Sequence, residues 1–319
     1  MKHGFSFPLL LCATLGLAAC GGGGSGGGTG SSGSGSSPSP SPPPHSCDDI
    51  SDLVDGVCQP FAVRIDARAA TRFVENGQPV TLEVVLLRPL AEGRYPVLVF
   101  NHGSTGNGSD PSLFGETFVS KSVTRFFTER GWMVAYPQRR GRGASDGLYD
   151  EGFRPDRGGY SCEAATALAG ADRALDDLDA ATDWLRQRSD VDTTRMVVGG
   201  SSRGGILSVA YVARRPEVYL GAVNFVGGWL AEGCGDHREA NRTLFEAGAR
   251  FPGPSLWLYA ANDSFYSLPY SRANFQAFAA AGGLGTFAEF SRAPGLNGHF
   301  LINDPQLWES VMDGYLAGL

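Results

Sequence analysis

The chemistry-bearing residues of this chain are few, and the densest stretch of them is Met196-Val197-Val198-Gly199-Gly200-Ser201-Ser202-Arg203-Gly204-Gly205. It holds the pattern G-x-S-x-G in the frame Gly200, Ser202, Gly204. The apolar residues before the pattern read as a buried strand, and Ile206, Val209, Ala210 and Ala213 follow it at helical spacing. A serine at such a strand-turn-helix corner is a nucleophile elbow: its hydroxyl stands above the carboxyl end of a sheet, and the flanking glycines let strand and helix close up. The backbone N–H of Arg203, at the helix start, can then bind the oxygen of the carbonyl that Ser202 attacks.

A serine hydroxyl is a weak nucleophile without a base within reach and a third group that fixes the base's tautomer. Of the five histidines, His3 and His45 lie in amino-terminal segments discussed below and His102 ends another strand, which leaves His237 and His299. His299, in Leu296-Asn297-Gly298-His299-Phe300, follows the last strand, where a base can reach back over the carboxyl edge. The plain alternative is a capping histidine before the final helix. Asp263, in Ala261-Asn262-Asp263-Ser264, follows a strand ending at Ala260 and gives the chain order Ser202, Asp263, His299. Carboxylates in that position are also ordinary Asx-turn residues, and Glu232 and Asp236 are rivals for the acid. The Gly-rich turn Asn101-His102-Gly103-Ser104-Thr105-Gly106 can aim the Ser104 N–H at the developing oxyanion, opposite Arg203. No phosphate-binding loop of Walker type and no metal-ligand cluster accompanies these residues, so neither cofactor nor metal is expected.

These groups need a sheet whose strand ends converge. Phe61 to Ile65 and Val80 to Leu87 read as antiparallel edge strands, with turn residues at Asn76-Gly77. Val97 to Phe100 and Trp132 to Tyr136 are fully apolar runs separated by a helical pattern through Val123, Phe126 and Phe127 that stops at Gly131, which predicts a right-handed parallel crossover. Ala164 to Arg188 is a long helical pattern leading into the elbow strand. Further strands are expected at Ala222 to Val226, Leu256 to Ala260 and Thr286 to Phe290, with helices around Tyr270 to Ala281 and through Leu307, Val311 and Leu316. The expectation is an α/β fold: a doubly wound, mostly parallel sheet of about eight strands with helices on both faces.

The 319 residues include an amino-terminal part that cannot bury a core. Met1 to Ala19 reads as a secretory signal, and Leu17-Ala18-Ala19-Cys20 resembles the bacterial lipobox, implying lipidation of Cys20 and a membrane anchor. Gly21 to Ser46 is almost wholly Gly, Ser and Pro, a disordered tether with a reach of about 25–30 Å. The catalytic domain is then 47–319. Gly21 after the cysteine resembles outer-membrane sorting, so the expected place is a bacterial outer membrane, facing periplasm or exterior. In such an oxidising compartment Cys47, Cys58, Cys162 and Cys234 suggest two disulfides. Cys47 and Cys58 bracket a short loop, while Cys162 and Cys234 lie in loops near the carboxyl edge, and we pair them so. A net charge of −7 without a long Lys/Arg run argues against nucleic acid as partner. The expected partners are a small-molecule ester and, through the lipid, a membrane.

Taken in this order from about Phe61 to Leu319, these pieces resemble the α/β-hydrolase superfamily, and within it the dienelactone-hydrolase-like and acyl-peptidase-like esterases. Dienelactone hydrolases use cysteine where Ser202 stands, so a lactone substrate is not implied. Gln138-Arg139-Arg140-Gly141-Arg142-Gly143-Ala144-Ser145 is similar to the Arg-Gly-x-Gly-x-Ser loop of these hydrolases, where it shapes the loop first and contacts substrate carboxylates second. The resemblance implies a serine hydrolase of carboxylic esters, with a peptidase or amidase on the same triad, or a lipid-tethered binding module of the same fold, as the other readings. Leu148 to Cys162 and Gly227 to Arg250 are the expected cap segments, with Phe153, Tyr160 and Trp229 as pocket walls.

Overall fold

The computed structural model describes Cys47, Asp48 and residues 50–319. The expected secretory signal, the expected lipidation site Cys20 and the expected tether lie outside the described residues. At Asp55-Gly56 both residues have positive φ, as a tight hairpin turn requires. Here β1 (Ser51–Val54) and β2 (Val57–Pro60) pair as an antiparallel ribbon closed by the Cys47–Cys58 disulfide, where the sequence suggested only a loop. The ribbon strands are largely exposed, so no apolar face announced them.

The next hairpin turns at Asn76-Gly77, again with φ positive at both residues, between β3 (Val63–Glu75) and β4 (Gln78–Arg88). Side chains alternate along β3, which extends it well past the expected end at Ile65. The uninterrupted apolar runs then form β5 (Tyr95–Asn101) and β6 (Met133–Pro137), joined through α1 (Lys121–Glu129), whose N-cap Ser120 accepts the Val123 N–H. Helix α2 (Ala164–Leu185) leads to β7 (Val191–Ser201), which runs into α3 (Arg203–Val212). The remainder is β8 (Gly221–Phe225), α4 (His237–Gly248), β9 (Ser255–Ala260), α5 (Leu268–Ala280), β10 (Gly285–Phe290) and α6 (Pro305–Ala317).

The eight-stranded sheet has the order β3-β4-β6-β5-β7-β8-β9-β10, antiparallel at β3-β4 and β4-β6 and parallel from β6 to β10. The chain steps from β5 outward to β6 and returns past β5 to β7, so the strand order reverses between β5 and β7. In open parallel sheets that reversal opens a crevice at the carboxyl ends of the two strands. Here those ends are Asn101, before the His102-Gly103-Ser104 turn, and Ser201, before Ser202. The α/β fold with an eight-stranded, mostly parallel sheet is the one the apolar runs predicted.

Candidate active site

The elbow is built by two close approaches. A Cβ on Gly204 would lie 2.0 Å from the Asn101 carbonyl oxygen, and one on Gly200 would lie 2.4 Å from the Gly204 backbone. Only glycine lets β5, β7 and α3 meet there. Between them Ser202 is held at φ 57°, ψ −123°, a region that non-glycine residues avoid and that tight surroundings must impose. The backbone N–H groups of Arg203 and Ser104 have no acceptor among the described residues, and Gly103 packs so closely that a Cβ there would sit 3.1 Å from that of Ser202.

Asp263 follows Asn262, whose φ of 60° turns the chain sharply after β9. Its Oδ1 accepts the N–H groups of Phe265 (2.8 Å) and Tyr266 (3.0 Å), so it is an Asx-turn residue. It also faces the His299 imidazole: Nδ1 lies 3.0 Å from Oδ2 and 3.2 Å from Oδ1. The Asp263 side chain is fully buried and that of His299 is 11% exposed, which leaves the ring's far edge to the cleft. Asn297 ties the two loops together, accepting the N–H groups of His299 (2.9 Å) and Ser264 (3.2 Å) and donating to Ser264 Oγ (2.8 Å). The rings of Phe265, Tyr266 and Phe300 flank the imidazole at centroid distances of 4.5, 5.7 and 5.9 Å. The rival carboxylates are spent elsewhere: Glu232 accepts the Ser267 N–H at the cap of α5, and Asp236 accepts the Ala164 N–H at the start of α2 (3.0 Å).

Ser202 and His299 line the same two cavities. Among the described residues no hydrogen bond joins Ser202 Oγ to the imidazole; catalytic contacts of this kind often form only once substrate is bound. One cavity, of about 290 Å³, is bounded by Tyr160, Trp229, Arg203, Phe265, Tyr266 and the Cys162–Cys234 disulfide. Tyr160 and Trp229 thus stand where expected. Phe153 does not line it: its ring sits behind that of Tyr160 at 4.8 Å, packed against Tyr149 and Phe114, because the bridge Phe153–Tyr160 folds this cap segment back on itself. Phe265 and Tyr266 are walls that the sequence reading missed, although their place directly after Asp263 was the available signal.

Behind the cleft the Arg-rich loop is largely structural. Arg140 pairs with Asp177 (2.5 Å), and Arg139 pairs with Glu151 and donates to the His102 carbonyl (3.0 Å). His102 is 1% exposed. Its burial, with the Arg139 and Arg142 guanidiniums alongside, holds its pKa well below the ordinary value, so the ring is neutral. Nε2 accepts the Arg139 backbone N–H (3.2 Å), which leaves Nδ1–H to donate to the Gly103 carbonyl (2.8 Å) and fix the turn carrying Ser104.

Residues 118–231, which include the elbow, match the prolyl oligopeptidase family. No curated protein sequence matches the chain. Several solved structures share its fold. A dienelactone hydrolase candidate of Klebsiella pneumoniae subsp. pneumoniae is 18% identical over 81% of this chain and 100% of its own, with a TM-score of 0.50. An esterase of Pyrococcus furiosus is 14% identical over 80% of this chain and 90% of its own, with a TM-score of 0.55. An acylaminoacyl peptidase of Pyrococcus horikoshii is 15% identical over 81% of this chain, with a TM-score of 0.55, and this chain spans 41% of that protein. The likeness to these structures shows the α/β-hydrolase fold, and the family match spans the part of it that carries the elbow. Within it, the chain is similar to esterases of the dienelactone-hydrolase-like kind and to part of larger peptidases.

Proposed function

We propose that this protein cleaves carboxylic esters through an acyl-enzyme. Ser202 Oγ attacks the acyl carbon while His299 Nε2 takes its proton. The Asp263 carboxylate keeps the other imidazole proton on Nδ1 and stabilises the imidazolium, and the amides of Ser104 and Arg203 bind the oxyanion. The tetrahedral adduct collapses by expelling the alcohol, which receives the proton from His299. Water then enters by the same route, giving the acid and restoring Ser202.

The observation that carries this reading is the Asp263–His299 pair at 3.0 Å, set in the cleft that holds a serine in a strained elbow conformation. Esters are favoured because the cleft is small and closed on one side by Tyr160, Trp229 and a disulfide, which suits a short acyl or alcohol group. Amide or peptide cleavage by the same residues is the second reading, and the prolyl oligopeptidase match supports it. Rates on p-nitrophenyl esters of graded chain length, set against the matching p-nitroanilides, decide between them. Turnover of the anilides at rates equal to the esters favours the peptidase, and turnover of neither favours a binding module.

The proposal extends to export and anchoring at Cys20. Its support is the pair of disulfides, Cys47–Cys58 and Cys162–Cys234, since such bonds persist in oxidising compartments. A diacylglyceryl mass on Cys20 of the processed precursor is expected, and a soluble product of unmodified mass would refute it.

A further inference from the structure

The two amides assigned to the oxyanion, those of Ser104 and Arg203, come from separate loops, so something must fix one against the other. Behind both lies a single buried carboxylate, Glu151, 2% exposed. On one side it pairs with Arg139 through Oε1. The Arg139 guanidinium in turn donates to the carbonyls of His102 (3.0 Å) and Gly103 (3.4 Å), the two residues that lead into Ser104. On the other side Glu151 takes the side chain of Arg203 itself: Nη1 donates to the Glu151 carbonyl at 3.0 Å and lies 3.5 Å from Oε2. Arg203 Nε donates to the Trp229 carbonyl at 3.1 Å, and the guanidinium lies over the rings of Tyr160 and Trp229, 3.6 and 4.4 Å from their centroids. Glu151 thus reaches each donor through one arginine.

The carboxylate's own place leaves little slack. A Cβ on Gly170 of α2 would lie 2.1 Å from the Glu151 carbonyl carbon, so this part of the cap segment sits directly on the helix. Tyr149 Oη donates to Glu151 Oε2 at 3.2 Å. Burial works to raise the Glu151 carboxyl, and the guanidiniums of Arg139 and Arg203 more than reverse this, so it is ionised. We propose that Glu151 is a positioning residue for the oxyanion hole: its two arginine contacts hold the Ser104 turn and the start of α3 at the spacing that the developing oxyanion requires. This deepens the ester-hydrolase reading and rests on it. The plain alternative is a carboxylate that only neutralises two buried arginines. The same loop carries a control for that alternative. Arg140 and Asp177 form a second buried pair at 2.5 Å, and Arg140 turns its remaining donors to Glu75 (3.3 Å) and the Arg173 carbonyl (3.1 Å), not to the Ser104 turn or α3.

Glu151→Gln tests the proposal, since it keeps the side-chain length and one acceptor oxygen but presents an NH2 group to the second arginine. On p-nitrophenyl esters kcat is expected to fall about ten- to a hundred-fold with KM within about threefold, because donors displaced by a fraction of an ångström lose much of their hold on the oxyanion. The rate of fluorophosphonate labelling of Ser202 should fall by a similar factor, as the phosphonyl oxygen occupies the same hole, and this readout needs no ester. Asp177→Asn, whatever it costs in stability, should retain kcat, KM and labelling rate. Should Glu151→Gln not fold, Glu151→Asp, which keeps the charge and draws it back by one methylene, is expected to give the same split. Native-like kcat and labelling in the folded variant, a rise in KM in place of the fall in kcat, or an equal fall in Asp177→Asn overturns the proposal and leaves the hydrolase reading standing. A native chain that takes the probe but turns over no ester removes the ester reading, and the labelling rates then decide the positioning role alone. A native chain that does neither removes both.

Discussion

Replacing Asp263 by Asn separates an acid that orients His299 from one that only shapes a turn. The Asn side-chain oxygen can still accept the Phe265 and Tyr266 N–H groups, now at 2.8 and 3.0 Å, so the loop should hold and stability should change by less than about 1 kcal/mol. The second atom, which accepts the His299 Nδ1 proton at 3.0 Å, becomes an NH2 donor. The imidazole must then carry its proton on Nε2, the atom that has to receive the Ser202 proton. In the Ser-His-Asp template this wrong tautomer lowers kcat by about 10⁴-fold, or some 5–6 kcal/mol of transition-state stabilisation. Glu232→Gln and Asp236→Asn likewise keep an oxygen that can accept the Ser267 and Ala164 N–H groups, so stability should change by less than about 1 kcal/mol and kcat should stay within a few-fold. Steady-state kinetics on the best ester and urea unfolding of all three variants read both effects. Near-native kcat in Asp263→Asn, with kcat abolished in either of the other two, would refute the reasoning.

His102 gives a pH signature. Its folded pKa lies well below 6.5, so below that pH the unfolded chain binds a proton that the folded chain refuses, and stability falls as pH drops. The slope from this residue reaches about 1.4 kcal/mol per pH unit, starting near pH 6.5, and should disappear from the stability–pH curve of His102→Gln. At the elbow, Gly204→Ala should cost about 3 kcal/mol or more, because its Cβ meets the Asn101 carbonyl oxygen, whereas Gly233→Ala, with open space around it, should stay within about 0.5 kcal/mol. Urea midpoints compare the two.

The sheet was legible because its central strands are buried on both faces and therefore read as unbroken apolar runs, as in Val97 to Phe100 and Met196 to Val198. The elbow was legible because its glycines answer a local steric demand that two residues on either side display. Helix α4, by contrast, lies in a stretch read as cap loop. In His237–Gly248 its buried side is carried by Ala240, Asn241, Leu244 and Phe245, with charged residues around them, and one of its buried contacts is polar: Asn241 accepts the N–H groups of Trp229 and Leu230. Phe153 shows the complementary failure. An aromatic residue on a long loop can be recognised as buried, but the direction of its ring depends on the Phe153–Tyr160 bridge, which no periodicity reports. Arg142 illustrates it for charge: Arg139 and Arg140, close to it in sequence, find buried carboxylates, and only the packing of distant Glu151 and Asp177 decides which guanidinium has no ion pair among the described residues and settles instead on the Phe114 carbonyl and the Tyr149 ring.

The central claim is that Ser202 is an activated nucleophile. Incubation with a fluorophosphonate probe, followed by intact-mass and peptide analysis, tests it most directly, because ordinary serines do not react with such probes. One adduct per chain, located on Ser202 and absent from Ser202→Ala, is the predicted result. A native protein that takes no label, or a Ser202→Ala variant that takes it equally, would contradict the assignment.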